Sequence, residues 1–365
     1  MWVDTPIRGY AGDASVNRGS AITLFVSTAE PTYTIEVYRL GWYGGMGATL
    51  VLERRRLPRS ESAGSAPQSG IGLIDAGWSP SYTLQTGAAW TSGVYLVKLT
   101  AKSGAVGYIS FVLRADGTTA DIVHAARSPP GLPTTNWGGK SLYDFNSDGG
   151  RAYKVSFNRP SPCGGWRSFF DGDYNMVRWL EAQGYDVTYV TNTDLEANPA
   201  ILNGRRMFLS NFHDEYWSKA MRDTVTAGRD RGMHMAWFGA NNVYWQVRLE
   251  ADPFGAANRV MVCYKDAALD PLAGSNPQVA TVNSPPASDQ KMSCSASCTS
   301  RIGATALRCR GWCAERRPLV VQRQLISPTA NPILNLVGYE YDKVWNNGFD
   351  TGRSHGPVSL TSNDR

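Results

Sequence analysis

The hydrophobic period of this chain changes near residue 120, and no single repeating architecture accommodates both halves. Before that point apolar and polar residues tend to alternate. Segments 21–27, 33–39, 92–99 and 107–113 are rich in β-branched and aromatic residues, as half-buried strands are. Glycine- and serine-rich stretches at 41–45 and 60–65 supply turns between them. Short strands at close spacing without a helical period predict an all-β sandwich over residues 5–115. After a linker at 116–119, Met176, Trp179 and Leu180 recur at helical spacing ahead of Gly184, a helix stop. Strands at 185–190 and 206–210, a helix at 218–231 capped by Ser218, and a strand at 234–238 follow. Helix and strand alternating at this pace predict a parallel sheet with crossover helices. The expected fold is therefore a sandwich followed by an α/β domain, flavodoxin-like or class I glutamine amidotransferase-like, over residues 120–365.

Composition narrows the function. A chain of 365 residues is long enough for two cored domains, and 42% hydrophobic with 18% charged residues describes a globular protein. The formal charge of +5 is small, and basic residues are scattered among acids except at Arg54-Arg55-Arg56, which reads as a solvated strand end or loop. Neither nucleic acid nor a membrane is an expected partner, and no apolar stretch approaches the ~18–20 residues of a membrane span. Residues 1–6 lack the basic and apolar regions of a secretory signal, so a cytoplasmic location is the default expectation. Residues 359–365 supply no closing element after Glu340, so the chain is expected to stop short of a domain boundary.

Candidate chemistry concentrates after the apolar run 207–211, in Phe212-His213-Asp214-Glu215-Tyr216-Trp217. Ligands of open α/β sheets bind outside the carboxyl ends of the strands. The turns at 191–194 and 239–242 lie at the ends of neighbouring expected strands, so His213, Glu215 and Asn241 are expected on one rim. Two residues apart on extended backbone, His213 and Glu215 would face the same way, one ligating a metal or acting as base, the other orienting substrate or water. From spacing alone a second reading stays open, a carboxylate capping the helix that begins near Ser218.

Several motifs together resemble the N,N-dimethylformamidase large (beta) subunit-like, C-terminal region family. They are Gly9-Tyr10, Ser15-Val16-Asn17-Arg18-Gly19, Tyr38 to Gly45, Gly138 to Phe145, His213 to Ser218 and Phe238-Gly239-Ala240-Asn241, with a resumption at Leu336 to Asp342. The resemblance implies hydrolysis of small amides such as formamides at a mononuclear iron held by two tyrosines and a glutamate, with a histidine and an asparagine beside it. On this chain it implies Glu215 and Tyr143 as iron ligands, His213 as proton shuttle and Asn241 as donor to the oxyanion. Hard oxygen donors of this kind suit a ferric Lewis acid. A small partner subunit and a homo-oligomer belong to the same picture. The chain departs from the family where a segment near Thr-Trp-Gln-Ala-Tyr-Asn, source of the second tyrosine, is usual. Residues 128–137 read Ser-Pro-Pro-Gly-Leu-Pro-Thr-Thr-Asn-Trp, with no tyrosine. Codons for 129–135 read one frame over can spell Thr-Trp-Xaa-Xaa-Tyr-Asn, so a local frameshift is the hypothesis for this difference.

Other features carry plainer readings. Cys294, Cys298, Cys309 and Cys313 are spaced like a four-thiolate zinc clip, but segment 284–317 has no helical or strand period and departs from the family. Out-of-frame sequence, a loose native loop, and zinc or disulfides all stay open there. His124, His234 and His355 lack acidic or cysteine partners at ligand spacing and are expected to be structural. Trp42, Tyr43, Trp78 and Tyr82 are expected in core or junction packing, with a sugar-binding platform as the alternative. The rival to amide hydrolysis is accordingly a non-catalytic, secreted or carbohydrate-associated binding protein, or a degraded family member without activity.

Overall fold

The computed structural model describes residues 6–60, 66–126, 137–160, 169–239, 242–273 and 275. Asn241, the proline-rich segment 128–136, the four clustered cysteines, His355 and the stretch 336–342 lie outside these residues.

The alternating first third forms β1 (Ile7–Ala11), β2 (Ser15–Asn17), β3 (Ala21–Leu40), β4 (Ala48–Ser60), β5 (Tyr82–Gln85), β6 (Gly93–Ala101) and β7 (Val106–Arg114). All seven belong to one sheet. Segments 21–27 and 33–39 are halves of the single twenty-residue β3, whose first half pairs with β1 and β5 and whose second half pairs with β4 and β6. The change of partners around Pro31 lets Ile22, Leu24 and Val26 share a core with Ile35, Val37, Val97 and Leu99. Arg54 and Arg56 sit exposed in β4, the latter at a φ of 59° in a strand whose register against β3 is irregular.

After residue 120 come β8 (Ile122–Ala126), β9 (Lys154–Ser156), α1 (Tyr174–Ala182), β10 (Val187–Thr191), α2 (Asn192–Ala197), β11 (Met207–Asn211), β12 (Tyr216–Ser218), α3 (Lys219–Asp230), β13 (His234–Phe238), β14 (Trp245–Glu250) and β15 (Val260–Val262). Two local signals act as the residues suggest. Gly184 takes a φ of +72° just past α1, and the Ser218 hydroxyl accepts the Met221 N–H at 3.1 Å to start α3, a cap worth about 1 kcal/mol. A four-stranded parallel sheet runs β10-β8-β11-β13.

The architecture corrects the expected flavodoxin-like or amidotransferase-like α/β domain. The alternation stops at β13, and β14 and β15 turn away to build a third sheet, β12-β14-β15-β9, with both parallel and antiparallel pairs. Strand outweighs helix by 40% to 19% of the described residues, with three α-helices. The reason is local: β9, β12 and β15 are three residues long, too short to show a period, and they pair through long-range contacts. Among the described residues no helix is long and apolar enough to cross a membrane.

The first sheet is joined to the later elements by buried polar groups. Arg39 of β3 donates to Glu181 of α1 at 2.7 Å and to the Ser92 carbonyl at 2.8 Å. The same carboxylate accepts the Trp42 N–H and the Tyr189 hydroxyl. Tyr43 accepts from Arg39 at 2.8 Å, the Arg178 guanidinium lies 5.2 Å from the Trp42 ring, and Trp78 is buried between Tyr10 and Trp137. Tyr82 packs on the first core. These four aromatics therefore form packing at the core and junction. His124 is fully buried in β8, edge-on to Tyr189, and His234 is half-buried in β13.

Candidate active site

Three segments far apart in sequence meet at the third sheet. The first is the loop that carries Tyr143. Its backbone is held on both sides: the Tyr143 N–H donates to Ser141 Oγ at 3.0 Å, and its carbonyl accepts from Ser147 Oγ at 2.7 Å. Leu142 is fully buried beneath it. Gly139 is favoured by its φ of +86°, backbone that other residues rarely adopt. Backbone held this way fixes the point at which the Tyr143 side chain leaves the loop.

The second segment is the turn after β11. Phe212 has a φ of 62° and Val243, which follows β13 across the turn, a φ of 55°. Such backbone costs about 1–3 kcal/mol per residue and persists only where surroundings impose it. Here they do: the Phe212 N–H donates to the Phe238 carbonyl at 3.0 Å and the Val243 N–H to the Asp214 carbonyl at 2.9 Å. The Phe212 carbonyl also crowds Gly239, where a Cβ would lie 1.6 Å away. Asp214 points inward, accepting from Asn192 Nδ2 and Ser210 Oγ, each at 2.6 Å. Its neighbours are more open: His213 is exposed against the Phe212 ring, and Glu215 is half-buried. Ser218, rather than Glu215, caps the following helix.

Between these segments the Tyr143 hydroxyl donates to Glu215 Oε1 in a very short hydrogen bond. Of the expected site residues, the structure brings Tyr143 and Glu215 into contact and sets His213 on the same turn as Glu215. Asn241 is outside the described residues, flanked by Asn242, whose amide donates to the Gly239 carbonyl at 3.1 Å. Asp194, from the first of the expected rim turns, is drawn off to Arg114 of the first sheet at 2.7 Å.

The third segment follows β15 and was not singled out by sequence. Lys265, at a φ of 63°, puts its ammonium 4.0 Å from the Tyr143 ring centre, 5.2 Å from Trp245 and 5.5 Å from Tyr216, and donates to the Leu142 carbonyl at 2.8 Å. Cys263 is fully buried nearby, its thiol pushed up to about 12 by burial. Tyr216 is also buried, its ring edge-on to Tyr143. The sequence signals that point here are thin: a Cys-Tyr-Lys exit after an apolar run, and a tyrosine inside the already conspicuous cluster. Burial first, and then the Glu215 charge, raise both the Tyr143 and Tyr216 phenols, so both hold their protons. Burial lowers Lys265.

The donor set suits a hard cation. Among the described residues no three His, Cys, Asp or Glu side chains gather as a metal cluster, so a metal here would rely on phenol oxygens. Tyr143 and Glu215 present such oxygens in contact, and hard oxygens are the partners of ferric iron. A separate polar cleft of about 530 Å³ is lined by Gln68, Ile71, Lys140, Asp144, Arg151 and Tyr153. It shares the loop of Tyr143, reaching Asp144, but neither Tyr143 nor Glu215 lines it.

The strained turn thus sets Glu215 against the Tyr143 phenol beside the third sheet, with His213 exposed on the same turn. The chain belongs to the N,N-dimethylformamidase beta subunit-like, C-terminal family, whose profile matches residues 34–362. No curated protein matches the sequence. Among solved structures, parts of the chain are similar to superoxide reductase (neelaredoxin) from Ignicoccus hospitalis, at 12% identity and a TM-score of 0.18, over 30% of this chain and 80% of that one. Similarity to the sporulation control protein Spo0M from Bacillus subtilis is 6% identity with a TM-score of 0.21, over 32% and 51% of the two chains. For the sulfur carrier protein SoxY from Chlorobium limicola f thiosulfatophilum the values are 13%, 0.16, 31% and 80%. These likenesses carry no argument about fold or activity.

Proposed function

We propose that this protein is an iron-dependent amidohydrolase that cleaves the C–N bond of small amides of the formamide type. The observation that carries this reading is the contact of Tyr143 with Glu215, two oxygen donors 72 residues apart in the chain. Family membership supports the reaction class. Tyr143 and Glu215 would hold the metal, which when bound supplies Lewis acidity toward an amide carbonyl.

The remaining steps fall to the chain's own residues. His213, exposed on the turn beside Glu215, takes a proton from the attacking water and returns it to the departing amine. The water oxygen bonds to the carbonyl carbon, the C–N bond breaks, and a carboxylic acid and an amine leave. Asn241 donates to the carbonyl oxygen as negative charge develops there. The positive-φ backbone at Phe212 and Val243 holds the turn that presents His213 and Glu215, so the site is positioned before substrate arrives. The family's description as a beta subunit supports work alongside a partner subunit, and a homo-oligomer fits the same reading.

The test is amine release from N,N-dimethylformamide by the purified full chain, before and after iron removal by a chelator. Activity that disappears with the metal and returns with ferric or ferrous salt is expected. Activity that survives complete removal would contradict the iron, and none from an iron-loaded, folded chain with its partner would contradict the reaction.

A further inference from the structure

The polar cleft beside the loop of Tyr143 has walls from two segments, 67–72 on one side and 140–153 on the other. Backbone contacts tie these walls together. The Tyr153 N–H donates to the Ile71 carbonyl at 2.8 Å, and Gly72 packs so closely on Ala152 that a Cβ there would lie 2.9 Å from its Cα. The Tyr153 ring is stacked on Tyr264, centres 4.7 Å apart, which gives the cleft a rigid aromatic side. Its volume of about 530 Å³ falls in the roughly 300–1,000 Å³ range of small-molecule sites, and such sites are usually formed before the ligand arrives.

The polar groups of the lining are weighted toward donors. Asp144 is the one carboxylate among the lining residues, and Arg151 engages both of its oxygens, through the backbone N–H at 3.0 Å and the guanidinium at 2.8 Å. Lys140 has no acid partner among the described residues. Its ammonium donates to the Asp148 and Gly150 carbonyls at 2.5 and 2.9 Å, which satisfy its hydrogens without cancelling its charge. Two cations against one anion leave the lining with a single net positive charge. Arg151 Nε is buried with no hydrogen-bond partner among the described residues, and the Gln68 amide and the Ser69 and Tyr153 hydroxyls have none there either. A buried guanidinium N–H left unpaired is costly, so its place in this lining calls for an acceptor. An oxyanion accepts from all of these donors and brings the missing negative charge. A metal cation would meet the reverse arrangement, with the only carboxylate already taken.

We propose that this cleft is a second binding site, for a small organic anion whose carboxylate or phosphate group is held by Arg151, Lys140 and the turn of Gln68 and Ser69, with its body against Tyr153. The site stands apart from the contact of Tyr143 with Glu215, neither of which lines it, and needs no metal there.

The experiment titrates the intact, metal-free chain by calorimetry with inorganic phosphate and with benzoate, and with benzyl alcohol as the neutral counterpart of benzoate. Saturable binding of at least one anion, with a Kd of about 1 mM or tighter, is expected, and none of the alcohol. The anion preferred tells whether phosphate or carboxylate is the group recognised. Arg151→Gln and Lys140→Met should each weaken binding by roughly tenfold or more, the effect of one charge-assisted hydrogen bond. Arg151 also orders the loop through Asp144, so a variant on the opposite wall guards against misfolding. Gln68 is exposed and its side chain makes no hydrogen bond among the described residues, and the charge added by Gln68→Glu should weaken binding by a similar factor. Glu215→Gln should bind the anion as wild type does. The proposal is overturned by no saturable binding of either anion to the folded wild type, by equal binding of benzyl alcohol, by wild-type affinity in folded Lys140→Met and Gln68→Glu, or by loss of binding in Glu215→Gln.

Discussion

Two clusters of buried polar groups cross between distant parts of the chain, and they differ in how completely they are paired. At the junction of the first sheet with α1, Arg39 engages Glu181, Tyr43 and the Ser92 carbonyl, and Glu181 in turn takes the Trp42 N–H and the Tyr189 hydroxyl. At the third sheet, Tyr143 and Glu215 pair in a single contact beside backbone held at positive φ at Phe212, Val243 and Lys265. A network with its partners in place serves the fold. One that rests on a single contact beside stored strain is the place to look for chemistry.

Breaking the first cluster should have the largest effect on stability. Glu181→Ala leaves the Arg39 guanidinium buried without its carboxylate, and unfolding by urea should show a loss of about 3–5 kcal/mol. A loss under about 1 kcal/mol would mean the junction is more hydrated than its burial indicates. Next comes the turn that presents the site. Gly239→Ala would drive a methyl into the Phe212 carbonyl, and about 1–3 kcal/mol of stability should be lost along with the alignment of His213 and Glu215. Retention of full stability would show that the turn can relax.

The second cluster should behave in the opposite way to the first. Glu215→Gln removes a half-buried charge while keeping its shape, so stability should change by less than about 1 kcal/mol while metal uptake and hydrolysis are lost. A stability loss as large as that of Glu181→Ala would erase the distinction between the two regions. The smallest effect concerns pH. Glu250 accepts from Lys154 and Arg248, and these ion pairs overcome burial to hold its carboxyl below the ordinary 4.5. A depressed folded value means the stabilisation is present above pH 4.5 and is lost as pH falls through the folded value. Glu250→Gln should flatten that acid limb by at most about 1 kcal/mol, the scale of a partly exposed ion pair, and an unchanged limb would contradict the assignment.

What was legible in the sequence follows the range of the interactions involved. The apolar run of β11, the Ser218 cap, Gly184 after α1 and the placing of His213 and Glu215 on either side of inward Asp214 all arise from neighbours in the chain, and their residue types announce them. Tyr216 and Lys265 join the site only because β12 pairs with β14 and β15 pairs with both β14 and β9, three-residue contacts that leave no periodic trace. The same pairings explain the misread fold class, since the helix and strand alternation that suggested a flavodoxin-like domain ends where the third sheet begins. Asp194, at the end of β10, is likewise placed by a long-range contact, its carboxylate taken by Arg114 of the first sheet.

The central claim is that Tyr143 and Glu215 form a metal site. Its most direct test is a ferric titration of the intact, metal-free chain against Glu215→Gln and Tyr143→Phe, followed by bound iron and visible absorption. The account predicts saturable, coloured binding by wild type, colour without tight binding at most in Glu215→Gln, and a weakened band in Tyr143→Phe. Equal iron binding and equal absorption in all three proteins would contradict it.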